Sequence, residues 1–421
     1  MSQPRGRLLC LTSNFPRWAG DSTTPFILHL ARDLQALGWQ VDVLAPHAPG
    51  TATREVLDGV LVERFRYLWP DSWETVCYQG GALINLRRNR VNLAKLPALV
   101  MAEWTATLGR LARRRYDLLH SHWILPQGFT GALAARPLKI PHVLSVHGGD
   151  VFALRGPWLT RCKRFALRHV DAVTVNSSVT QQAVETIAGP LPALQRIPMG
   201  VTVTPVARTD LAALRVRESF RRGDGPLLVF VGRLVEEKGV EDLLHAVRLL
   251  LPDLPDTTAL VVGEGQDRPA LQTLTEALKL AGRVHFTGWV APEEIGGYLA
   301  AGDVFVGPSR QGRDGWVEAQ GLSFIEAMVA AIPVVATRVG GIVDSVRDGE
   351  TGLLVAERSP AAIAAAVRRL MADPALVERL RRQGHALATA AFSRPASAAA
   401  FERLFEELLG RQPLISPRPS D

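Results

Sequence analysis

Apolar residues recur along this chain in two rhythms that alternate. RLLCLTSNFP (7–16) opens with a short apolar run. PFILHLARDLQALG (25–38) then carries apolar residues at helical spacing and closes on Gly38, and WQVDVLAP (39–46) is a second run. Runs of this length predict buried strands, and the helical segment between them makes a β-α-β unit, the building block of a parallel sheet. YDLLHSHW (116–123), a small-residue helix over 128–135, HVLSVHGGD (142–150) and DAVTVNSS (171–178) continue the series. A second series starts at PLLVFVGRL (226–234) and proceeds through VEDLLHAVRLLL, TALVVGEG, RVHFTGW, GDVFVGPS and IPVVATRVGG. Residues 198–226 carry proline, glycine and charge without a core pattern and read as a linker. The expectation is α/β: two doubly wound domains, 1–200 and 201–395. Ligands of such sheets bind at the carboxyl ends of the strands, so the cleft between the domains is the default site. A helix over 396–410 ends the pattern, and 411–421 reads as a disordered tail.

At 421 residues the chain has room for two or three domains, and 47% hydrophobic with 21% charged residues is ordinary for a globular protein. The apolar stretch at the N-terminus is too short for a signal peptide, and no window approaches the length of a membrane span. Cys10, Cys77 and Cys162 are too scattered for a disulfide framework or a metal site, which fits a reducing cytoplasm. Charge changes the picture more. Residues 1–200 hold 23 Lys and Arg against 13 Asp and Glu, whereas the rest holds 25 against 28. Clusters such as Arg87-Arg88-Asn89-Arg90, Arg113-Arg114-Arg115 and Lys163-Arg164 suit an anionic partner such as a membrane surface or a phosphorylated lipid, or simply a solvated face. No nucleic-acid motif accompanies them, and no nucleic-acid partner is expected.

The candidate chemistry lies where strands give way to loops. In LLVFVGRLVEEKG, Gly232 ends a strand and is followed by Arg233, Lys238 and a helix start, a combination suited to phosphate. Arg338-Val339-Gly340-Gly341 follows another strand and offers backbone N–H groups to an anion. His147 ends a strand before two glycines, and His122-Trp123 end a neighbouring one. Glu318 and Glu326 stand eight apart, too far to share a helix face. A nucleotide diphosphate bearing a sugar supplies phosphates for the loops and two separate polyols for the two carboxylates. The Gly-x-Gly of VVGEG is too weak to mark a nicotinamide site, and the first strand offers only Gly20.

Together these segments resemble the retaining family-4 (group 1) glycosyltransferases, in particular bacterial members that assemble polysaccharides and glycolipids. EAQGLSFIE resembles their Glu-x7-Glu motif, VGRLVEEKG their phosphate loop, HGGD their histidine motif and VGGIVDSVRDGETGLLV their distal segment. The resemblance implies the GT-B fold, two Rossmann-like domains facing across a cleft, with acceptor bound mainly by the first, nucleotide-sugar donor mainly by the second, and the last helix crossing back. It implies that Arg233 and Lys238 stabilise the leaving diphosphate, Glu326 binds the ribose, Glu318 the donor sugar, and His147 that sugar from the opposite domain. Gly20, Asp21, Gly232, Gly321, Leu322, Ser323, Gly340 and Gly341 complete the implied donor site, and His122, Trp123 and Asp150 the acceptor side. Many relatives have a second glycine where this chain has Ala19, the segment before Glu318 is longer than in many, and Val343-Asp344 stand in place of a Pro-Glu pair.

The function expected is transfer of a sugar from a nucleotide-diphosphate sugar to a glycan, glycolipid or polyprenyl-linked acceptor, with no metal or cofactor. The place expected is the cytoplasm or the inner face of the cell membrane, touched by the basic first domain. The alternatives are a sugar-nucleotide epimerase or hydrolase on the same fold and a sugar-nucleotide-binding protein without catalysis.

Overall fold

The computed structural model describes residues 5–21, 25–78, 81–113, 115–313 and 315–411. They form two compact units. One runs from the N-terminal segment to Gly200 and resumes at Arg394; the other is Val201–Ser393. The break at Ser393 falls two residues before the boundary the sequence suggests. The tail expected over 411–421 lies, beyond Arg411, outside the described residues.

The first unit is built on strands β1 (Gly6–Leu11), β2 (Trp39–Pro46), β3 (Arg54–Leu57), β4 (Val60–Phe65), β5 (Leu118–His122), β6 (His142–Val146), β7 (Ala172–Val175) and β8 (Leu194–Arg196). Their order is β3-β4-β2-β1-β5-β6-β7-β8, parallel except for the hairpin β3–β4. The chain fills one side of β1, then the other, so the switch point lies between β1 and β5. Leu9, Leu11, Leu44 and Leu119 are buried on one part of this sheet and Leu144, Val146, Val173 and Val175 on another. The helix Arg394–Leu408 packs here as well: Phe405 meets Trp39 edge-on at 5.5 Å, and Arg394 is bonded to Asp33 at 2.5 and 2.8 Å.

The second unit contains β9 (Leu227–Val231), β10 (Thr258–Val262), β11 (Val284–Gly288), β12 (Val304–Gly307), β13 (Val334–Thr337) and β14 (Leu353–Val355). They pair in parallel in the order β11-β10-β9-β12-β13-β14. Apolar residues cover both faces, as a parallel sheet requires. Here the switch point lies between β9 and β12.

The linker reading of 198–226 is corrected by the structure. Val201 pairs with Ser393, and residues 211–220 form the helix Leu211–Phe220, with Ala213 buried and Val216 and Phe220 against the core. Its polarity misleads because Arg217 works inward. That side chain donates to Ala301 O at 2.7 Å and pairs with Asp303, whose carboxylate also accepts from Leu227 N–H at 2.8 Å.

Candidate active site

In the second unit the motif residues meet at the carboxyl ends of β9, β12 and β13, around the switch point. Gly232 follows β9 directly with its N–H donated to Val262 O at 3.0 Å, and Arg233 comes next, exposed, with no ion pair or side-chain hydrogen bond among the described residues. The chain then makes a single tight turn, Glu236–Lys238. Two features fix that turn. Gly239 has φ +64°, and a Cβ there would lie 2.0 Å from Pro308 O, so the loop after β12 presses directly on it. Arg310 donates its backbone N–H to Glu237 O at 2.8 Å and its Nε to Glu236 O at 2.9 Å, while its guanidinium also reaches Glu241 and Asp242.

The turn delivers Lys238 to Glu318. Its ammonium is ion-paired with the Glu318 carboxylate, both groups being mostly shielded from solvent. Glu326 sits eight residues on, in the first turns of the helix Leu322–Val329, whose cap is Gly321. Burial pushes its carboxyl up to about 7, and the positive charge of Lys238 pulls the other way. The ion pair of Lys238 is with Glu318, and its charge is also felt at Glu326. Leu322 and Ser323, half-buried, form the N-terminus of the same helix, where free N–H groups favour an anion.

The loop after β13 is locked to this group through the backbone. Gly341 donates its N–H to Glu318 O at 2.8 Å, and Gly340 has φ +57° with a would-be Cβ 2.1 Å from the same carbonyl. Any side chain at 340 would displace Glu318, so the glycine is required by close approach as well as by backbone angle. The structure thus brings together Arg233, Lys238, Glu318, Gly321, Leu322, Ser323, Glu326, Gly340 and Gly341.

The first unit gathers a different set at the ends of β5 and β6. His122 Nδ1 lies 3.0 Å from His147 Nε2, with the rings stacked at 16° and their centroids 5.2 Å apart. His122 is wholly buried, His147 half-buried. Trp123, with φ +75°, holds its ring 5.3 Å from that of His147. Asp150 is buried and turned to the backbone: it accepts from Ile124 N–H at 2.8 Å and from His147 N–H at 3.3 Å. It ties the two strand ends together and has no face toward solvent. Behind them, His120 Nε2 lies 2.7 Å from Ser145 Oγ, itself 2.7 Å from Thr174 Oγ1. Loss of solvent pushes the imidazoles of His120 and His147 down to about 3, and that of His122 well below its ordinary value. These rings are neutral at physiological pH.

Gly20 and Asp21 lie in the loop after β1. Gly20 is exposed with φ +83°, while Asp21 accepts from the Arg17 N–H at 2.9 Å and from its Nε at 2.7 Å, so the carboxylate braces its own loop. Sequence reasoning missed two residues. Arg310 gives a signal in hindsight, an arginine at the carboxyl end of a strand beside the phosphate loop. His120 gives none, since a histidine inside a strand looks like any buried one.

Comparison with known proteins agrees with this arrangement. Residues 215–386 match the family described as glycosyl transferases group 1, and 23–200 the glycosyl transferase 4-like domain. The chain is similar to a D-inositol 3-phosphate glycosyltransferase of Corynebacterium jeikeium, 33% identical over 70% of this chain and 73% of that one. It is also similar to a GDP-mannose-dependent alpha-(1-6)-phosphatidylinositol monomannoside mannosyltransferase of Mycolicibacterium smegmatis, 36% identical over 59% of this chain; the match spans 65% of that enzyme's length. Among solved structures, sucrose-phosphate synthase of Thermosynechococcus elongatus superposes with a TM-score of 0.74 over 96% of this chain and all of that one, at 23% identity, a likeness of fold.

Proposed function

The chain belongs to the group 1, family-4 glycosyltransferases of the GT-B fold, and on that premise we propose that it transfers a sugar, with retention, from a nucleotide-diphosphate sugar to a glycan, glycolipid or polyprenyl-linked acceptor. The observation that carries the reading is the Lys238–Glu318 ion pair, with Arg233 on the same loop having no ion pair among the described residues and Glu326 eight residues beyond Glu318. A diphosphate needs concentrated positive charge as its bond to the sugar breaks, and Arg233 and Lys238 supply it from a preorganised turn. In this reading no metal is required, because those two side chains and the N–H groups of the helix Leu322–Val329 meet the developing charge.

Glu326 takes the ribose hydroxyls and Glu318 those of the sugar. Lys238 holds Glu318 until donor arrives, then turns part of its charge to the phosphate. The acceptor hydroxyl attacks on the face the diphosphate leaves, its oxygen bonds to the anomeric carbon as the carbon–phosphate-oxygen bond breaks, and its proton passes to the departing phosphate oxygen. No carboxylate acts as nucleophile.

Peripheral membrane contact belongs to the same proposal. Trp69 and Trp73 are 78% and 57% exposed, with Arg66 stacked above Trp69. Thr75 is bonded to Asn92 at 2.8 Å, which sets the tryptophan segment beside exposed Val91, Leu93, Arg87, Arg88 and Arg90. Aromatic and aliphatic groups among arginines suit an anionic bilayer surface. No helix among the described residues is long and apolar enough to cross a membrane.

The test is incubation with GDP-mannose, UDP-glucose and ADP-glucose singly, following thermal shift and release of nucleoside diphosphate. A shift with one donor, and release that accelerates on adding a membrane lipid extract, is the expected result. Rapid release without acceptor would indicate a hydrolase or epimerase, and no shift with any donor would overturn the reading.

A further inference from the structure

The His122–His147 pair admits two proton arrangements, and they are not equal. In one, His122 Nδ1–H donates to His147 Nε2, leaving His122 Nε2 as a bare lone pair. In the other, His147 Nε2–H donates to His122 Nδ1, and the proton of His122 must sit on Nε2. That nitrogen is fully buried and has no hydrogen-bond partner among the described residues. A buried N–H without an acceptor forfeits its full solvation, whereas a buried imidazole lone pair forfeits less, and orphaned donors are correspondingly the rarer of the two in folded proteins.

We infer that His122 is a positioning residue which fixes His147 as the Nδ1–H tautomer, so that His147 presents a neutral hydrogen-bond donor at Nδ1. The surroundings support this division of labour. His147 is the half-buried member of the pair, and its Nδ1 has no partner among the described residues. Its ring is held by the stacked His122, by Phe26 at 5.1 Å and by Trp123 at 5.3 Å. Its backbone is pinned by Asp150 and, through its carbonyl, by Asn176 at 3.3 Å. The side chain thus has one free polar atom and one orientation. A neutral N–H of this kind suits a sugar hydroxyl oxygen, and would serve neither as a base nor as a counter-charge to phosphate. The role toward sugar rests on the function proposed above; the tautomer does not.

Nitrogen-15 NMR of the histidine-labelled, unliganded full-length protein at neutral pH tests the tautomer without any ligand. The proton of His147 is expected on Nδ1; finding it on Nε2 overturns the proposal, whatever the enzyme's activity. Two variants test the positioning. His122→Asn keeps a donor near the Nδ1 position and should leave the His147 tautomer unchanged. His122→Phe removes the donor and should release the His147 proton to exchange between both nitrogens, with kcat for GDP-mannose or UDP-glucose turnover falling about tenfold and KM little changed. An unchanged tautomer in His122→Phe removes His122 from the role. If the tautomer is as expected but His147→Ala turns over donor normally, the sugar contact fails and the tautomer assignment stands.

Discussion

At the carboxyl ends of β9 and β13 the chain has assembled an ion pair beside a carboxyl raised to about 7, whereas at the ends of β5 and β6 it has assembled imidazoles stripped of charge. Lys238, Glu318 and Glu326 stay partly wet and answer one another, and their turns are set by backbone contacts at Gly239 and Gly340. His120 and His122 are buried and His147 half-buried; all three are neutral, with His120 bonded to Ser145, His122 to His147, and the backbone N–H of His147 to Asp150. The difference teaches that one topology, a parallel sheet with a switch point, supports two kinds of recognition. Charge at close quarters suits a leaving diphosphate, while oriented neutral dipoles suit hydroxyls, which need direction more than field.

The hardest blow to the charged site is removal of its cations. Lys238→Ala or Arg233→Ala should lower kcat by about 100- to 1,000-fold with melting temperature little altered, a magnitude typical of losing one preorganised transition-state contact. Gly340→Ala comes next. Its Cβ meets the Glu318 carbonyl, so we expect about 2–4 kcal/mol of destabilisation by urea titration and loss of donor-induced thermal shift. Arg310→Ala should leave the fold intact and lower turnover by about ten- to a hundredfold, because the Lys238 turn loses its brace; normal turnover would show that Gly239 alone sets it.

Acidification separates the two sites by sign. A histidine pushed down to about 3 in the fold, from an ordinary 6.5, leaves the native state with fewer protons than the unfolded chain between those values. Stability from His120 and His147 is therefore full above pH 6.5 and lost as pH falls toward 3. Glu326, raised from 4.5 to about 7, runs the other way: its burial destabilises above pH 7, and the penalty fades as pH falls to 4.5. From pH 7 to pH 5, hydrogen exchange corrected for its intrinsic rate should quicken in β5 and β6 but not in the helix Leu322–Val329. Glu326→Gln should raise the melting temperature at pH 8 and leave it unchanged at pH 4. Parallel behaviour of both regions would dissolve the contrast.

Most of this fold was legible because a parallel sheet writes its strands as continuous apolar runs. What escaped had reasons. The hairpin β3–β4 was announced by Asp58-Gly59, both at positive φ, as a two-residue turn between short strands demands, yet REVL and VLVERF are too polar to stand out. The long helix Val91–Arg113 buries Asn92, Glu103 and Thr107 on the same stripe as Leu99 and Leu111, which erases its apolar period. Glu103 accepts from Gln127 and Thr130, partners more than twenty residues away that no local pattern connects. At the candidate site, residue types and spacing singled out Arg233, Lys238 and the glutamates, of which the structure pairs Lys238 with Glu318. The hydrogen bond from Gly341 to the Glu318 carbonyl, and the close approach of Gly340 to it, did not emerge, because a backbone–backbone contact leaves no mark but a glycine.

The first unit is completed by a segment that follows the whole of the second. Phe405, Glu406 and Arg394 reach Trp39, Arg5 and Asp33 only after residues 201–393 have been synthesised. On the ribosome the order of maturation is thus inverted relative to the order of synthesis. Val201–Ser393 can close as soon as it emerges, its ends already paired at Val201 and Ser393, while β1 and β2 wait uncapped for the last helix. A chain cut short before Arg394 would yield a finished second unit tethered to an unfinished first one, with the apolar face of Trp39 left open to chaperones and to aggregation.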